Sequence, residues 1–176
     1  MSLKVVLTGK PGVGKTTAVK RVVERLGEKA VGFWTEEIRK SGKRWGFKVV
    51  RTDGEEELLA SVDFNSPFRV GRYRVNVEGF EETVVPFLER ALTETEKVLI
   101  VDEVGKMELL SQKFVKLVEK LLNSENRALL TIPVKDVHPI IRRIRSFKGS
   151  VVISLTVENR DSVPDKVLKL LEEGDG

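Results

Sequence analysis

The sequence predicts an α/β protein built on a mostly parallel sheet with helices on both faces. Three observations carry that prediction. Apolar, strand-like runs alternate with segments of helical periodicity along the 176 residues, the pattern that lays helices against a parallel sheet. A glycine-rich turn, Gly9-Lys10-Pro11-Gly12-Val13-Gly14-Lys15-Thr16, joins the first strand to the first helix. A wholly apolar strand, Val98-Leu99-Ile100-Val101, ends on the paired carboxylates Asp102 and Glu103. Ligands of open α/β sheets gather at the carboxyl ends of strands, so these two ends mark the ground for function.

Leu3 to Thr8 is the first strand. Thr17 to Leu26 carries Val19, Val22, Val23 and Leu26 on one helical face, and Gly27 stops that helix. Ala30 to Thr35 reads as the second strand and Trp45 to Thr52 as another, entered through Ser41-Gly42 and left through Asp53-Gly54, both turn pairs. Phe68 to Val77 alternates around Gly71 as a half-exposed hairpin. The stretch of about 36–80 therefore reads as an antiparallel β insertion within a single domain spanning 1–176. Glu82 to Leu92 is expected to be helical, interrupted early by Pro86. Lys97 to Asp102 is a strand, and Ser111 to Leu122 a helix with Phe114, Leu117, Val118, Leu121 and Leu122 on one face. Ala128 to Ile132 and Ser150 to Leu155 are buried-type strands, bridged by Pro139 to Phe147. The last helix starts near Pro164, a favoured first helical position, and ends by Gly174.

Composition narrows the function classes. No apolar run approaches a membrane span. The chain enters its first strand at once, which leaves no room for a signal peptide. It has no cysteine, so disulfides and thiolate metal sites are excluded and a cytoplasmic location fits. Charged residues are 33% of the chain and glutamine occurs once, at Gln112, a balance that leans towards a thermophilic source. The net charge of +4 suits polyanions, and a nucleotide pocket also uses positive charge.

Residues 9–16 match G-x-x-x-x-G-K-[ST], a phosphate-binding P-loop, in the strand-before, helix-after context that the motif requires. The glycines let successive backbone N–H groups turn inward as an anion nest at a helix N-terminus. Thr8 and Thr17 flank it. Lys15 is placed to reach β- and γ-phosphates, and the Thr16 hydroxyl to join Mg²⁺. The apolar strand ending in Asp102-Glu103 completes the pair as a Walker B pattern. Asp102 is then expected to hold Mg²⁺, usually through water, and Glu103 to polarise a water for attack on the γ-phosphate. The chain is expected to bind nucleoside triphosphates.

Several runs occur in order with these motifs: Gly32-Phe33-Trp34-Thr35-Glu36-Glu37-Ile38-Arg39, Arg44-Trp45-Gly46-Phe47, Gly71-Arg72-Tyr73, Asp102-Glu103-Val104-Gly105-Lys106-Met107-Glu108-Leu109 and Glu158-Asn159-Arg160-Asp161. Together they resemble the thermophile-type family of small nucleoside triphosphatases, to which a mammalian cancer-related nucleoside triphosphatase is related. The resemblance spans essentially the whole chain. It implies a RecA-like P-loop core with an inserted β region, and slow, broad hydrolysis of nucleoside triphosphates to diphosphate and phosphate.

Other residues stay open between two readings. Lys106, after Val104 and Gly105, either reaches the γ-phosphate or pairs with Glu108 in solvent. Thr131 either senses the attacking water or caps its strand. Asn159 and Arg160, after Glu158, either brush the base or only close a loop, as analogy with other P-loop folds suggests. Arg142, Arg143 and Arg145 offer an arginine finger or an exposed helix face. His138, beside Asp136 and Pro139, lacks metal-ligand company and is read as structural. Arg39, Lys40, Lys43, Arg44, Lys48 and Arg51 lie near Trp34 and Trp45, a mixture that stacks and holds nucleic acid in some proteins. Glu36, Glu37, Asp53 and Glu55 between them favour a solvated charged face.

Three functions therefore compete: a stand-alone triphosphatase, a small-molecule or nucleoside kinase, and a nucleic-acid-associated ATPase switch. Arg142 to Arg145 offer the lid that a kinase needs, but the Asp102-Glu103 pair suits water activation better. Asp102 to Gly105 also fits the D-x-x-G of GTPases, but the guanine-reading N-K-x-D is missing, since Val134-Lys135-Asp136 lacks the Asn and the spacing. Hydrolysis of ATP, GTP, CTP and UTP or TTP alike is the expectation.

Overall fold

Alternation within the core strands decides the layering. Val5 and Leu7 of the first strand pack with one set of helices, while Val6 between them packs with the other. Val98 and Ile100 oppose Leu99 and Val101 in the same way. Each strand is thus apolar on both faces, which is what a sheet covered on both sides requires. The computed structural model describes residues 2–173.

The elements in chain order are β1 (Lys4–Thr8), α1 (Lys15–Leu26), β2 (Ala30–Lys40), β3 (Lys43–Arg51), β4 (Glu56–Ser61), β5 (Arg69–Val70), β6 (Tyr73–Val75), α2 (Val77–Leu92), β7 (Val98–Val101), α3 (Gln112–Leu122), β8 (Ala128–Ile132), α4 (Pro139–Ser146), β9 (Ser150–Ser154) and α5 (Val163–Glu173). They form one sheet in the order β5-β6-β4-β3-β2-β7-β8-β1-β9. From β2 to β9 neighbouring strands run parallel. From β2 to β5 they run antiparallel. Helices α1 and α5 cover one face with Val19, Val22, Val167 and Leu171. Helices α2, α3 and α4 cover the other. The α/β fold expected from the sequence is therefore the one observed.

Boundaries differ where packing outvotes local sequence. Helix α2 begins at Val77 and passes through Pro86 without stopping. Asn76 caps it by accepting from the Gly79 amide at 3.1 Å, and Phe80, Val84, Val85, Leu88 and Ala91 are buried along one side. Pro86 faces solvent; the missing hydrogen bond costs less than that apolar face contributes, at roughly 1.5–3 kcal/mol for each large side chain. Phe33 of β2, Phe80 of α2 and Phe114 of α3 meet edge to face, with centroids 5.1–6.2 Å apart, and lock two helices onto the central strand.

Strand β2 continues to Lys40 instead of stopping at Thr35, because its outer half pairs with β3 and sets Glu36 opposite Lys48. The turn at Ser41-Gly42 takes positive φ at both positions, 51° and 75°, which a tight hairpin needs. Strand β4 was not expected; it opens on two glutamates, Glu56 exposed and Glu57 half-buried, and it gains its place by pairing with β3. Gly174, the expected end of the last helix, lies outside the described residues. None of the described helices is long and apolar enough to cross a membrane.

Lys4 at the start of β1 is fully buried and donates to the carbonyls of Ser124, at 3.0 Å, and Asn126. Burial pushes its ammonium from 10.5 down to about 8, opposed by the Glu125 charge. Between pH 8 and pH 10.5 the unfolded chain holds a proton that the folded chain has released, so this group makes stability rise with pH across that window. The wild-type protein should gain on Lys4→Met over the window by on the order of 3 kcal/mol at most, read by denaturant unfolding at each pH. A constant difference between the two proteins contradicts the assignment.

Candidate active site

Three strand ends build the site: those of β1, β7 and, between them, β8. Beyond β1 the chain turns through Gly12 and Gly14 at φ 80° and 113°, values that glycine adopts without steric cost. Gly9 leaves no space for a side chain, since a Cβ there would lie 2.9 Å from the Leu155 carbonyl oxygen and from Val13. Helix α1 then starts at Lys15, earlier than the sequence suggested, with Gly14 at its N-cap and no side-chain cap. Its first N–H groups are left for an anion.

The Lys15 ammonium donates to the Gly9 carbonyl and to Glu103 Oε2, each at 2.9 Å, with the Ile132 carbonyl at 3.4 Å. Asp102 is 2% exposed at the end of β7. Its Oδ2 accepts from the Thr16 hydroxyl at 2.7 Å and its Oδ1 from the Thr131 hydroxyl at 2.6 Å. Burial pushes the Asp102 carboxyl up to about 6 against the pull of those hydroxyls. The two motif ends predicted to converge are thus in direct contact. Asp102 and Thr16 present adjacent oxygen donors, the chemistry of a hard divalent cation. Among the described residues no cluster of three or more His, Cys, Asp or Glu could hold a metal. A cation here would share oxygens with phosphate and water, as Mg²⁺ usually does.

Beyond capping its strand, Thr131 donates its hydroxyl to Asp102. Lys106 is exposed while Glu108 is 4% exposed, and among the described residues no ion pair joins them. Glu108 is the residue that sequence reasoning undervalued. Burial, then the Glu103 charge, push its carboxyl well above the usual range. No spacing rule distinguishes it from an ordinary loop glutamate. Val104 is fully buried and donates its amide to the Thr131 carbonyl at 2.9 Å. At Gly105 a Cβ would lie 2.6 Å from Glu103 Oε1 and 3.0 Å from Glu108 Oε1, so both carboxylates crowd this glycine.

Lys10 and Pro11 border a cavity of about 600 Å³ on the side of Glu103 and Lys106. On the opposite side Arg160 donates to the Val13 carbonyl at 3.3 Å and lies over the P-loop. Asn159 instead ties its own loop, accepting from the Thr156 amide at 2.7 Å and donating to the Ser154 carbonyl at 2.9 Å. Thr8 and Thr17 sit at the two ends of the loop, the first buried and the second exposed.

The arginines of α4 diverge. Arg143 pairs with Glu119 at 3.3 Å and Arg142 with Asp136 at 3.7 Å. Arg145 turns inward, binding Asp136 at 3.1 Å and the Pro133 and Val134 carbonyls at 2.8 Å each. It anchors the loop after β8. His138 caps α4 through Nδ1, which accepts from the Ile140 amide at 3.1 Å. In the β2–β3 hairpin Arg39 and Arg44 both bind Glu37, Lys48 binds Glu56 and Arg51 binds Asp53. Lys40 lies over Trp45, 3.6 Å from the ring centroid. Most of the basic cluster is thus already partnered within the sheet.

A family model described as NTPase matches residues 4–168. The nucleoside-triphosphatase THEP1 of Aquifex aeolicus is 49% identical over 177 residues, covering 97% of this chain and 99% of that protein. The cancer-related nucleoside-triphosphatase homolog of Mus musculus is 39% identical over 183 residues, covering 95% and 96%. The crystal structure of THEP1 from Aquifex aeolicus superposes with a TM-score of 0.91 at 48% identity, covering 97% of this chain and 99% of that one.

Thr131→Val removes one donor from a buried carboxylate while keeping the side chain's shape. Urea unfolding at neutral pH should show a loss of about 1–3 kcal/mol. An unchanged midpoint would mean that Asp102 does not depend on this hydroxyl.

Proposed function

This chain belongs to the NTPase family, and on that premise we propose that it is a Mg²⁺-dependent nucleoside triphosphatase, slow and indifferent to the base. The observation that carries the reading is the meeting of Lys15 with Glu103 at 2.9 Å beside the Thr16–Asp102 contact at 2.7 Å. The N–H groups of residues 12–16 cradle the phosphates. Lys15 transfers its hydrogen bond from Glu103 to the β- and γ-phosphate oxygens, which carry more charge than one carboxylate. Asp102 and Thr16 hold Mg²⁺, which when bound neutralises charge on the phosphates. Glu103, released from Lys15, accepts a proton from the water that attacks the γ-phosphorus.

Two further observations support the finer parts. Asp136, the carboxylate nearest in sequence to a guanine-reading position, is bound by Arg145. Asn159 is spent on its own loop. Neither Asp136 nor Asn159 is then a dedicated partner for a base edge, and discrimination without such partners is modest. The arginines of α4 are held by Asp136 and Glu119. An arginine finger is worth roughly 10³–10⁵ in rate, so turnover without one is slow.

Glu103→Gln keeps the side chain's size and removes its basicity. Triphosphate binding should persist while phosphate release falls by about 10²-fold or more. Release at the parent rate would move the proton acceptor elsewhere. For the wild-type protein, ATP, GTP, CTP and UTP should be hydrolysed within about tenfold of one another, at roughly 10⁻² s⁻¹ or below at moderate temperature. A preference beyond a hundredfold, or tens of turnovers per second, contradicts the reading.

A further inference from the structure

Lys10, Pro11 and Glu103 of the triphosphate site border a cavity of about 600 Å³ whose far walls, on β3, β4 and β5, hydrolysis leaves without a role. A water molecule occupies about 30 Å³, whereas small-molecule pockets run to roughly 300–1,000 Å³. The walls are apolar: Phe47 of β3, Leu59 of β4, Val70 of β5 and Met107 of the loop after β7. Its three lysines, Lys10, Lys106 and Lys135, are exposed. Among the described residues no arginine, histidine, asparagine or glutamine lines it. Its remaining polar side chains are Thr35, Glu103 and Glu108. The carboxylates on its wall are Glu103 and Glu108, whose Oε1 atoms crowd the same glycine, Gly105. A carboxylate holds a hydroxyl group by accepting its hydrogen bond. Because Glu103 also touches Lys15 at 2.9 Å, a hydroxyl held by it lies beside the γ-phosphate position.

We propose that this cavity is an acceptor site, binding a small, largely apolar alcohol whose hydroxyl, held by Glu103, receives the γ-phosphoryl group in place of water. The proposal rests on the reading of Lys15, Asp102 and Glu103 as a triphosphate site. The alcohol oxygen forms a bond to the γ-phosphorus while the bond from that phosphorus to the β–γ bridging oxygen breaks. The nucleoside diphosphate leaves with the bonding pair. The hydroxyl proton passes to the Glu103 carboxylate and then to solvent. The products are a phosphomonoester, a nucleoside diphosphate and a proton. Water attacking the same phosphorus gives the slower hydrolysis.

The test incubates the full chain with Mg²⁺ and ATP, alone and with benzyl alcohol, phenylpropanol or citronellol at millimolar concentration, and follows products by phosphorus NMR. At least one probe should yield a phosphomonoester at the expense of free phosphate. Val70→Trp, which fills the cavity from β5, should lower the ratio of ester to free phosphate at least tenfold. Met107→Trp obstructs the facing loop and gives the same reading if Val70→Trp does not fold. ATP hydrolysis with no ester from any probe overturns the acceptor site and leaves the triphosphate site standing. An ester ratio unchanged in the folded variant also overturns it. Failure of ATP alone to bind or to release phosphate defeats the triphosphate reading, and the acceptor site with it.

Discussion

A buried carboxylate at the end of β7 sets the terms for this molecule. Asp102 is 2% exposed, and an ion so far from water is tolerated only when hydrogen bonds replace its hydration. Two hydroxyls do so, from Thr16 on α1 and Thr131 on β8. Neither is available unless β8 lies between β7 and β1 and α1 begins straight after the P-loop. The strand order and the site are therefore one requirement. The same desolvation pushes the Asp102 carboxyl up to about 6, and a cation at its side would favour the ionised form.

The β region between β2 and α2 has a second consequence. Strands β3, β4 and β5 extend the sheet beyond β2 and place Phe47, Leu59 and Val70 beside the loop that carries Glu103 and Glu108. Charges near such apolar walls interact more strongly than in water, because the effective dielectric constant is lower. Glu108 is buried beside them, and that burial, with the Glu103 charge second, pushes its carboxyl well above the usual range.

Much of this was legible in the chain. Strand β7 is a continuous apolar run, β1 and β8 are mostly apolar and fully buried, and α3 shows a complete stripe from Phe114 to Leu122. The P-loop and the Asp102-Glu103 pair announce themselves because glycine geometry and phosphate chemistry restrict sequence locally. What was missed depends on contacts between distant residues. Strand β4 begins with two glutamates, and α2 survives Pro86 through packing against Phe33 and Phe114. Thr131 and Glu108 acquire their character from neighbours on other elements. The cavity joins Phe47, Val70 and Met107, which no periodicity connects.

The proposed chemistry turns on the exchange of partners at Lys15, which one diffraction experiment can observe. Crystals grown with a non-hydrolysable triphosphate and Mn²⁺ in place of Mg²⁺ locate the metal by its anomalous signal. The expected result is a metal beside Thr16 and Asp102, with the Lys15 ammonium on the β- and γ-phosphate oxygens and Glu103 freed from the 2.9 Å contact described above. A metal bound away from both Thr16 and Asp102, or Lys15 still paired with Glu103 while the triphosphate is bound, contradicts it.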